Sequence, residues 1–218
     1  MVIINIFLWS EIAKMEGKVY NMRVIAATKN KGKIKEISDI LGVLGIEVVS
    51  QNDAGIDVEV LETGKTFTEN ALIKARSVAL LCDEAVLADD SGLCVDALGG
   101  APGIYSARYA GEDATDSDKI DKLLCELGDE TNRSAKFESA VAFIFPDGRE
   151  VTASGEVKGR ITMEPIGNGG FGYDPIFYSN ELKKTFGEAS AEEKNKISHR
   201  GRAIQALYDI LKDEEIFN

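Results

Sequence analysis

Val86-Leu87-Ala88-Asp89-Asp90-Ser91-Gly92 sets a short apolar run against two adjacent carboxylates and then against two turn-forming residues. An apolar run of this length, bounded by turn formers, fits a buried strand. The break after it would place an acid at the strand's mouth, where side chains of an open α/β sheet meet ligand. A solvated turn fits the same letters, because Asp, Ser and Gly all favour turns. The block continues to Gly111 as ADDSGLCVDALGGAPGIYSARYAG.

Upstream, Arg23-Val-Ile-Ala-Ala-Thr28 is a second strand-like run, followed by Lys29-Asn30-Lys31-Gly32-Lys33. Ile34, Ile37, Leu41 and Leu44 then recur at helical spacing, so the lysine-rich loop falls at a helix N-terminus. Free N–H groups and the helix dipole favour anions there, and three lysines in five residues suit phosphate. The spacing is not that of a Walker A loop, and a solvated basic turn reads equally well. A short strand over Ile46–Ser50 leads into an acidic connector ending at Glu62-Thr63-Gly64. Thr66-Phe67-Thr68-Glu69 is a capping-box pattern that opens a helix through Phe67, Ala71, Ala75 and Val78. Glu69 therefore has a structural task, and Lys74 two turns on reads from spacing alone as an exposed lysine.

Downstream, Thr115–Leu127 is an amphipathic helix closed by Gly128. Pro146-Asp147-Gly148 joins two strand-like runs, Lys136–Phe145 and Glu150–Ser154, as a hairpin. Strands that alternate with helices early and pair as hairpins later predict a mixed α/β sheet. Gly167-Asn168-Gly169-Gly170-Phe171-Gly172-Tyr173-Asp174-Pro175 holds four glycines in six residues, which lets backbone approach a ligand while Phe171 and Tyr173 offer flat faces. A wide glycine turn beside core aromatics is the competing reading. Ser190-Ala-Glu-Glu193 caps a last helix carrying Ile204, Leu207 and Leu211, with Lys194, His199 and Arg200 near its start. His199 is the sole histidine, which excludes a multi-histidine metal site; general base, base contact and structural polar group stay open for it.

The chain has 218 residues, and 37 acidic against 25 basic side chains give a net charge of −12. That balance argues against a nucleic-acid polymer as partner, because such a backbone needs a basic surface. Three cysteines, Cys82, Cys94 and Cys125, lack C-x-x-C spacing, so neither a disulfide framework nor a zinc site is expected and a reducing cytoplasm fits. The apolar run Val2–Trp9 is too short to span a bilayer and lacks the flanks of a signal peptide, so no membrane partner is expected. Residues 1–21 read as an N-terminal extension, and residues 22–218 as a single functional domain.

Four motifs in order carry a resemblance. They are Thr28-x-Asn30-x-x-Lys33; Glu62-Thr63-Gly64 with Asn70-Ala71 and Lys74; the Asp89–Gly111 block; and Phe171-Gly172-Tyr173-Asp174 with Ser198-His199-Arg200. Over about residues 22–212 the chain resembles the ITP/XTP pyrophosphatase family, also called dITP/XTP diphosphatases. The resemblance implies an elongated mixed-sheet α/β fold with two lobes flanking a central nucleotide-binding cleft, assembled as a homodimer. It implies Mg²⁺-dependent cleavage of a non-standard purine nucleoside triphosphate (ITP, dITP or XTP) between the α- and β-phosphates. Thr28, Asn30, Lys33 and Lys74 would hold phosphates, and Glu62 and Asp90 would hold Mg²⁺. Asp90 would also accept the proton of the attacking water, with Ser91 touching substrate. Phe171 would stack on the base, while Gly172, Tyr173, Asp174, Lys194, His199 and Arg200 would complete the base and sugar pocket. Asp89 is expected to shape the turn.

Overall fold

The computed structural model describes residues 22–213. The expectation of a separate extension over residues 1–21 lies outside them. Among the described residues six strands and five α-helices follow in the order β1 (Arg23–Ala26), α1 (Lys31–Gly42), β2 (Glu47–Ser50), α2 (Phe67–Ala79), β3 (Ala85–Val95), α3 (Asp116–Leu127), β4 (Ser134–Ile144), β5 (Glu150–Ile161), β6 (Phe177–Ser179), α4 (Ala191–Ile197) and α5 (His199–Asp213). The strands form one sheet in the order β2-β1-β3-β4-β5-β6. β1 pairs in parallel with β2 and β3, whereas β5 and β6 are antiparallel, so the sheet is mixed as the strand and helix pattern predicts.

The chain divides into two compact units. The first holds the described residues up to Asp90, Ala140–Gly155 and those from Arg200 onward; the second holds Ser91–Ser139 and Glu156–His199. In the first unit β1, β3 and the end of β4 are buried on both faces, and the side-chain period of two sorts their residues into two cores. Val24, Leu87, Val141 and Phe143 pack with Ile37, Ile40 and Leu41 of α1 and with Ala203, Ile204 and Leu207 of α5. Their immediate neighbours Ile25, Val86, Ala142 and Ile144 pack with Ala71, Ala75 and Val78 of α2. This two-sided burial is why β1 and β3 read as unbroken apolar runs. The second unit has its own core, in which Ile120, Leu123 and Leu127 of α3 meet Phe137, Phe177 and Phe186. Phe137 and Phe177 lie 4.6 Å apart there, centroid to centroid.

Two expectations need correction. β3 does not break at Ser91-Gly92 but runs on to Val95, with Leu93 and Val95 buried in the second core. Gly92 keeps the strand going rather than ending it: a Cβ there would collide with the Gly103 carbonyl and Ser106 Oγ, and the bare backbone lets that segment close down. Ser106 Oγ accepts from Leu93 N at 2.9 Å and donates to Gly103 O at 2.6 Å. The second correction concerns the C-terminal helix, which is two helices separated by the extended Ser198 (φ −65°, ψ 159°). Of the two expected capping boxes, the one at Ser190 closes fully. At Thr66 only the cap half forms: Thr66 Oγ1 accepts from Glu69 N, whereas the Glu69 carboxylate accepts from Lys65 N instead. Thr115 adds a full box beyond those expected.

Candidate active site

Because β3 continues through both acids, adjacent carboxylates must leave opposite faces of the sheet. Asp89 follows Leu87 toward the face covered by α1 and α5, and Asp90 follows Ala88 toward the face covered by α2. Their partners agree with that geometry. Asp89, fully buried, accepts both nitrogens of a fork from Arg200 of α5, Nε to Oδ1 at 3.2 Å and Nη2 to Oδ2 at 3.1 Å. It also pairs with Lys33 Nζ of α1 at 2.8 Å. Burial raises the Asp89 pKa, but Arg200 and Lys33 outweigh it and hold the carboxyl well below the ordinary carboxylate range.

Asp90 meets α2 instead. Lys74 Nζ stands 2.7 Å from its Oδ1 and 2.8 Å from Glu62 Oε1, so two carboxylates converge on one ammonium. Asn70, also on α2 and fully buried, donates to Asp90 Oδ2 at 3.3 Å and accepts from Gly64 N at 2.8 Å. A Cβ at Gly64 would sit 2.6 Å from Asn70 Oδ1, so glycine there lets the Glu62–Gly64 loop rest on that amide. Burial pushes the Asp90 carboxyl above its ordinary pKa; Lys74 and Lys33 oppose that shift and Glu62 adds to it. The Lys74 ammonium is disfavoured by burial, yet Asp90 and Glu62 carry its pKa above the usual value. Lys74, expected from spacing alone to be a solvated lysine, is thus a buried bridge.

The N-terminal turn of α1 completes this half. Asn30 is the N-cap, its Oδ1 accepting from Lys33 N at 3.1 Å, and Asn30 N donates to Thr28 Oγ1 at 3.2 Å. Thr28, Asn30 and Lys33 therefore form one connected turn. Burial lowers the Lys33 pKa, against the pull of Asp89. Glu36, one turn along α1, pairs with Arg200 Nη1.

In the second unit the glycine-rich loop is built around Asp174. Its Oδ2 accepts from Phe171 N at 2.9 Å and from Lys194 Nζ at 2.5 Å, and both charged residues are buried. The Lys194 ammonium lies 4.8 Å from the Phe171 ring centroid and 5.4 Å from that of Phe186. Gly170 has no room for a side chain against the Asp174 carboxylate. Gly169 N donates to Gly187 O at 2.8 Å and Ile166 N to Pro175 O at 2.8 Å, which anchors the loop's base. Gly172 N donates to Asp116 of α3 at 2.6 Å.

The other residues named by the resemblance have the following surroundings. Tyr173 is part of the second core and donates its hydroxyl to Ser106 O at 3.1 Å, so its ring serves packing. His199 is buried and stacks on Phe137 at 4.8 Å. Arg200 belongs to the first unit with Asp89 and Glu36, whereas Phe171, Asp174 and Lys194 gather in the second. Ser91 is half-buried on β3. Spacing gave no hint of Glu36 or Asp116; Asn70 stood inside a motif but was given no task. Their signal is three-dimensional, since each reaches a partner 20 to 164 positions away.

The donor set fits a hard divalent cation. Glu62 and Asp90 offer two carboxylates to one ammonium, and Mg²⁺ takes one or two carboxylates and completes its shell with phosphate oxygens and water. Among the described residues no cluster of three or more His, Cys, Asp or Glu side chains forms a closed metal cage.

Comparison with known proteins agrees with these motifs. The model of the Ham1 family matches residues 24–210. The dITP/XTP pyrophosphatase of Shigella flexneri is 48% identical over 195 residues, covering 88% of this chain and 98% of that protein. The dITP/XTP pyrophosphatase of Bacillus licheniformis is 48% identical over 190 residues, covering 86% and 97%. Among solved structures, the Staphylococcus aureus Ham1 protein superposes with a TM-score of 0.78 at 43% identity, over 88% of this chain and 99% of that one. With the family model spanning β1 to α5 and relatives near half identical over almost their full length, this chain belongs to the Ham1 family.

Proposed function

We propose that this protein hydrolyses non-standard purine nucleoside triphosphates, ITP, dITP and XTP, to the monophosphate and pyrophosphate, and so removes them from the nucleotide pool. The observation that carries the reading is the convergence of Glu62 and Asp90 on Lys74, at 2.8 and 2.7 Å, with Lys33 at a capped helix start in the same unit. The relatives' names as dITP/XTP pyrophosphatases support the choice of substrate.

In this reading Thr28, Asn30, Lys33 and Lys74 hold phosphate oxygens, because a triphosphate's charge must be offset before a nucleophile can approach phosphorus. Glu62 and Asp90 would hold Mg²⁺, which supplies further charge neutralisation and makes water easier to deprotonate. Asp90 accepts the proton of the attacking water at its carboxylate. A carboxyl held above its ordinary pKa by burial is a better base than a solvated one. Lys74, which pairs with both acids, would be the residue to reach phosphate if they held a cation.

Asp174 and Lys194 set a carboxylate beside an ammonium, with Phe171 next to them. Acceptor beside donor is the complement of an N1–H and C6=O edge, as hypoxanthine and xanthine present it. Adenine presents the reverse, and an unpaired buried group costs about 1–3 kcal/mol, roughly a 5- to 150-fold loss for each mismatch. Guanine shares the favoured edge, so exclusion of GTP falls on position 2 of the purine. A cytoplasmic location suits the free thiols Cys82, Cys94 and Cys125, and assembly as a homodimer rests on the resemblance alone.

Release of pyrophosphate from ITP, XTP, dITP, GTP and ATP, with Mg²⁺ and with chelator, tests the whole reading. Expected is Mg²⁺-dependent release from the first three and little from ATP, with Asp90→Asn inactive but folded. Tight ITP binding without release would make the protein a nucleotide sensor instead, and orthophosphate as product would place cleavage at the wrong bond.

A further inference from the structure

The glycine-rich loop ends in two consecutive N–H groups, those of Phe171 and Gly172, and each is held by a carboxylate. Asp174 takes the first at 2.9 Å from within the loop itself. Asp116 takes the second at 2.6 Å from the first turn of α3, 56 positions away. Gly172 is at φ +61°, a left-handed conformation that glycine alone adopts without strain. Glycine pays for that freedom in order, so a turn placed there needs an external tie to hold one conformation. The loop's base is anchored on Gly187 and Pro175, and its tip is tied by these two carboxylates, with Asp174 N also donating to Phe171 O at 3.3 Å. Asp116 is itself held: Lys119, one turn along α3 and largely buried, pairs with the other carboxylate oxygen at 2.6 Å. The Thr115 cap and the Asp118 box fix the backbone from which Asp116 projects.

We infer that Asp116 is a positioning residue for base recognition: it latches Gly172 to α3 and so holds the neighbouring Phe171 ring over the Lys194–Asp174 pair. This rests on the proposal that Phe171, Asp174 and Lys194 receive the purine. Asp116 does not touch the base; it acts through the backbone of the residue that follows Phe171. A latch of this kind sets how often the loop is in its binding-competent form, and apparent affinity falls in proportion to that fraction. The chemical step, whose residues lie in the first unit, is left alone.

Steady-state kinetics on ITP with Asp116→Ala, Asp116→Asn, Asp118→Ala and Phe171→Ala tests the inference. Losing one charge-assisted hydrogen bond at a half-buried site corresponds to about a fivefold or larger rise in KM. Asp116→Ala should show that rise with kcat within about twofold. Asp116→Asn, whose amide oxygen still accepts from Gly172 N, should recover most of it. Asp118→Ala breaks the capping box of the same helix without touching Gly172 and should leave KM near the parent value. An equal rise in Asp118→Ala would show that helix stability, not the latch, is responsible, and failure of Asn to rescue would also overturn the inference. Phe171→Ala separates the two proposals. If it leaves KM unchanged, the base-site reading falls; if it raises KM while Asp116→Ala does not, only the latch falls.

Discussion

Arg200 lets the buried electrostatics be tested apart from catalysis. Its side chain is 1% exposed, and its guanidinium joins Asp89 of β3 and Glu36 of α1 to α5. Replacing it with methionine keeps much of the volume but strands two carboxylates, one fully buried with Lys33 as its remaining named cation. Breaking one member out of a buried ion pair costs about 3–5 kcal/mol, because the partner keeps its desolvation penalty and loses its compensation. For a chain of this size each kcal/mol corresponds to about 2–4 °C in Tm, so Arg200→Met should melt roughly 6–20 °C below the parent. Differential scanning calorimetry in chelator, without nucleotide, reads this with no contribution from substrate binding. Arg200→Lys should fall between the two, since it restores a charge but cannot make the fork to both Asp89 oxygens. Adding Asp89→Asn to Arg200→Met should recover part of the loss, as the stranded charge disappears. A single variant that melts within about 1 °C of the parent, or a double variant whose losses simply add, would refute the network's role. Loss of activity alone would not decide, because resemblance also places Arg200 near substrate.

Three further outcomes follow from particular contacts. Gly92→Ala must push the Gly103 carbonyl and Ser106 away from β3, at a cost of about 1–3 kcal/mol, and an unchanged thermal midpoint would show that the 103–108 segment gives way freely. Burial, then the charge of Glu138, pushes the Cys94 thiol up to about 11. Its thiolate fraction at pH 8 is then roughly 100-fold below that of an ordinary thiol, so mass-spectrometric rates of iodoacetamide labelling should rise about tenfold per pH unit from pH 8 to 10. A rate that levels off near pH 9 would contradict that environment. Asn70→Ala leaves Gly64 N and one Asp90 oxygen without their amide partner, and should lower kcat for ITP by roughly tenfold or more while costing about 1–3 kcal/mol in urea unfolding; an unaltered kcat would remove Asn70 from the site.

Local patterns carried the mixed sheet, the helix starts and the cluster of acids. The capping box at Ser190 involves residues three apart, so both partners are visible in a short window. Apolar runs at β1 and β3 announce two-sided burial for the same reason. What stayed hidden depends on long-range approach. Gly92 reads as a breaker until Gly103 and Ser106 are seen to occupy the space a side chain would fill. Tyr173 reads as a stacking face because the letters Phe-Gly-Tyr do not say which ring turns inward to Ser106. Ser198 ends one helix and starts another inside a stretch whose apolar spacing hardly changes.

The pleat of one strand explains how two neighbouring aspartates acquire opposite chemistry. Residues one apart in a strand cannot share a face, so Asp89 and Asp90 must be solvated by different helices. α1 and α5 offer Asp89 a lysine and a forked arginine, which hold its carboxyl well below the ordinary range. α2 offers Asp90 one amide and one ammonium, and that ammonium is shared with Glu62, so burial wins and the carboxyl keeps an affinity for protons. Shifting β3 by one residue would turn each aspartate to the other face, away from the partners it now has. The two letters of Asp-Asp therefore differ in surroundings through the strand's period alone, and the difference is visible only once β3 is known to run unbroken through both.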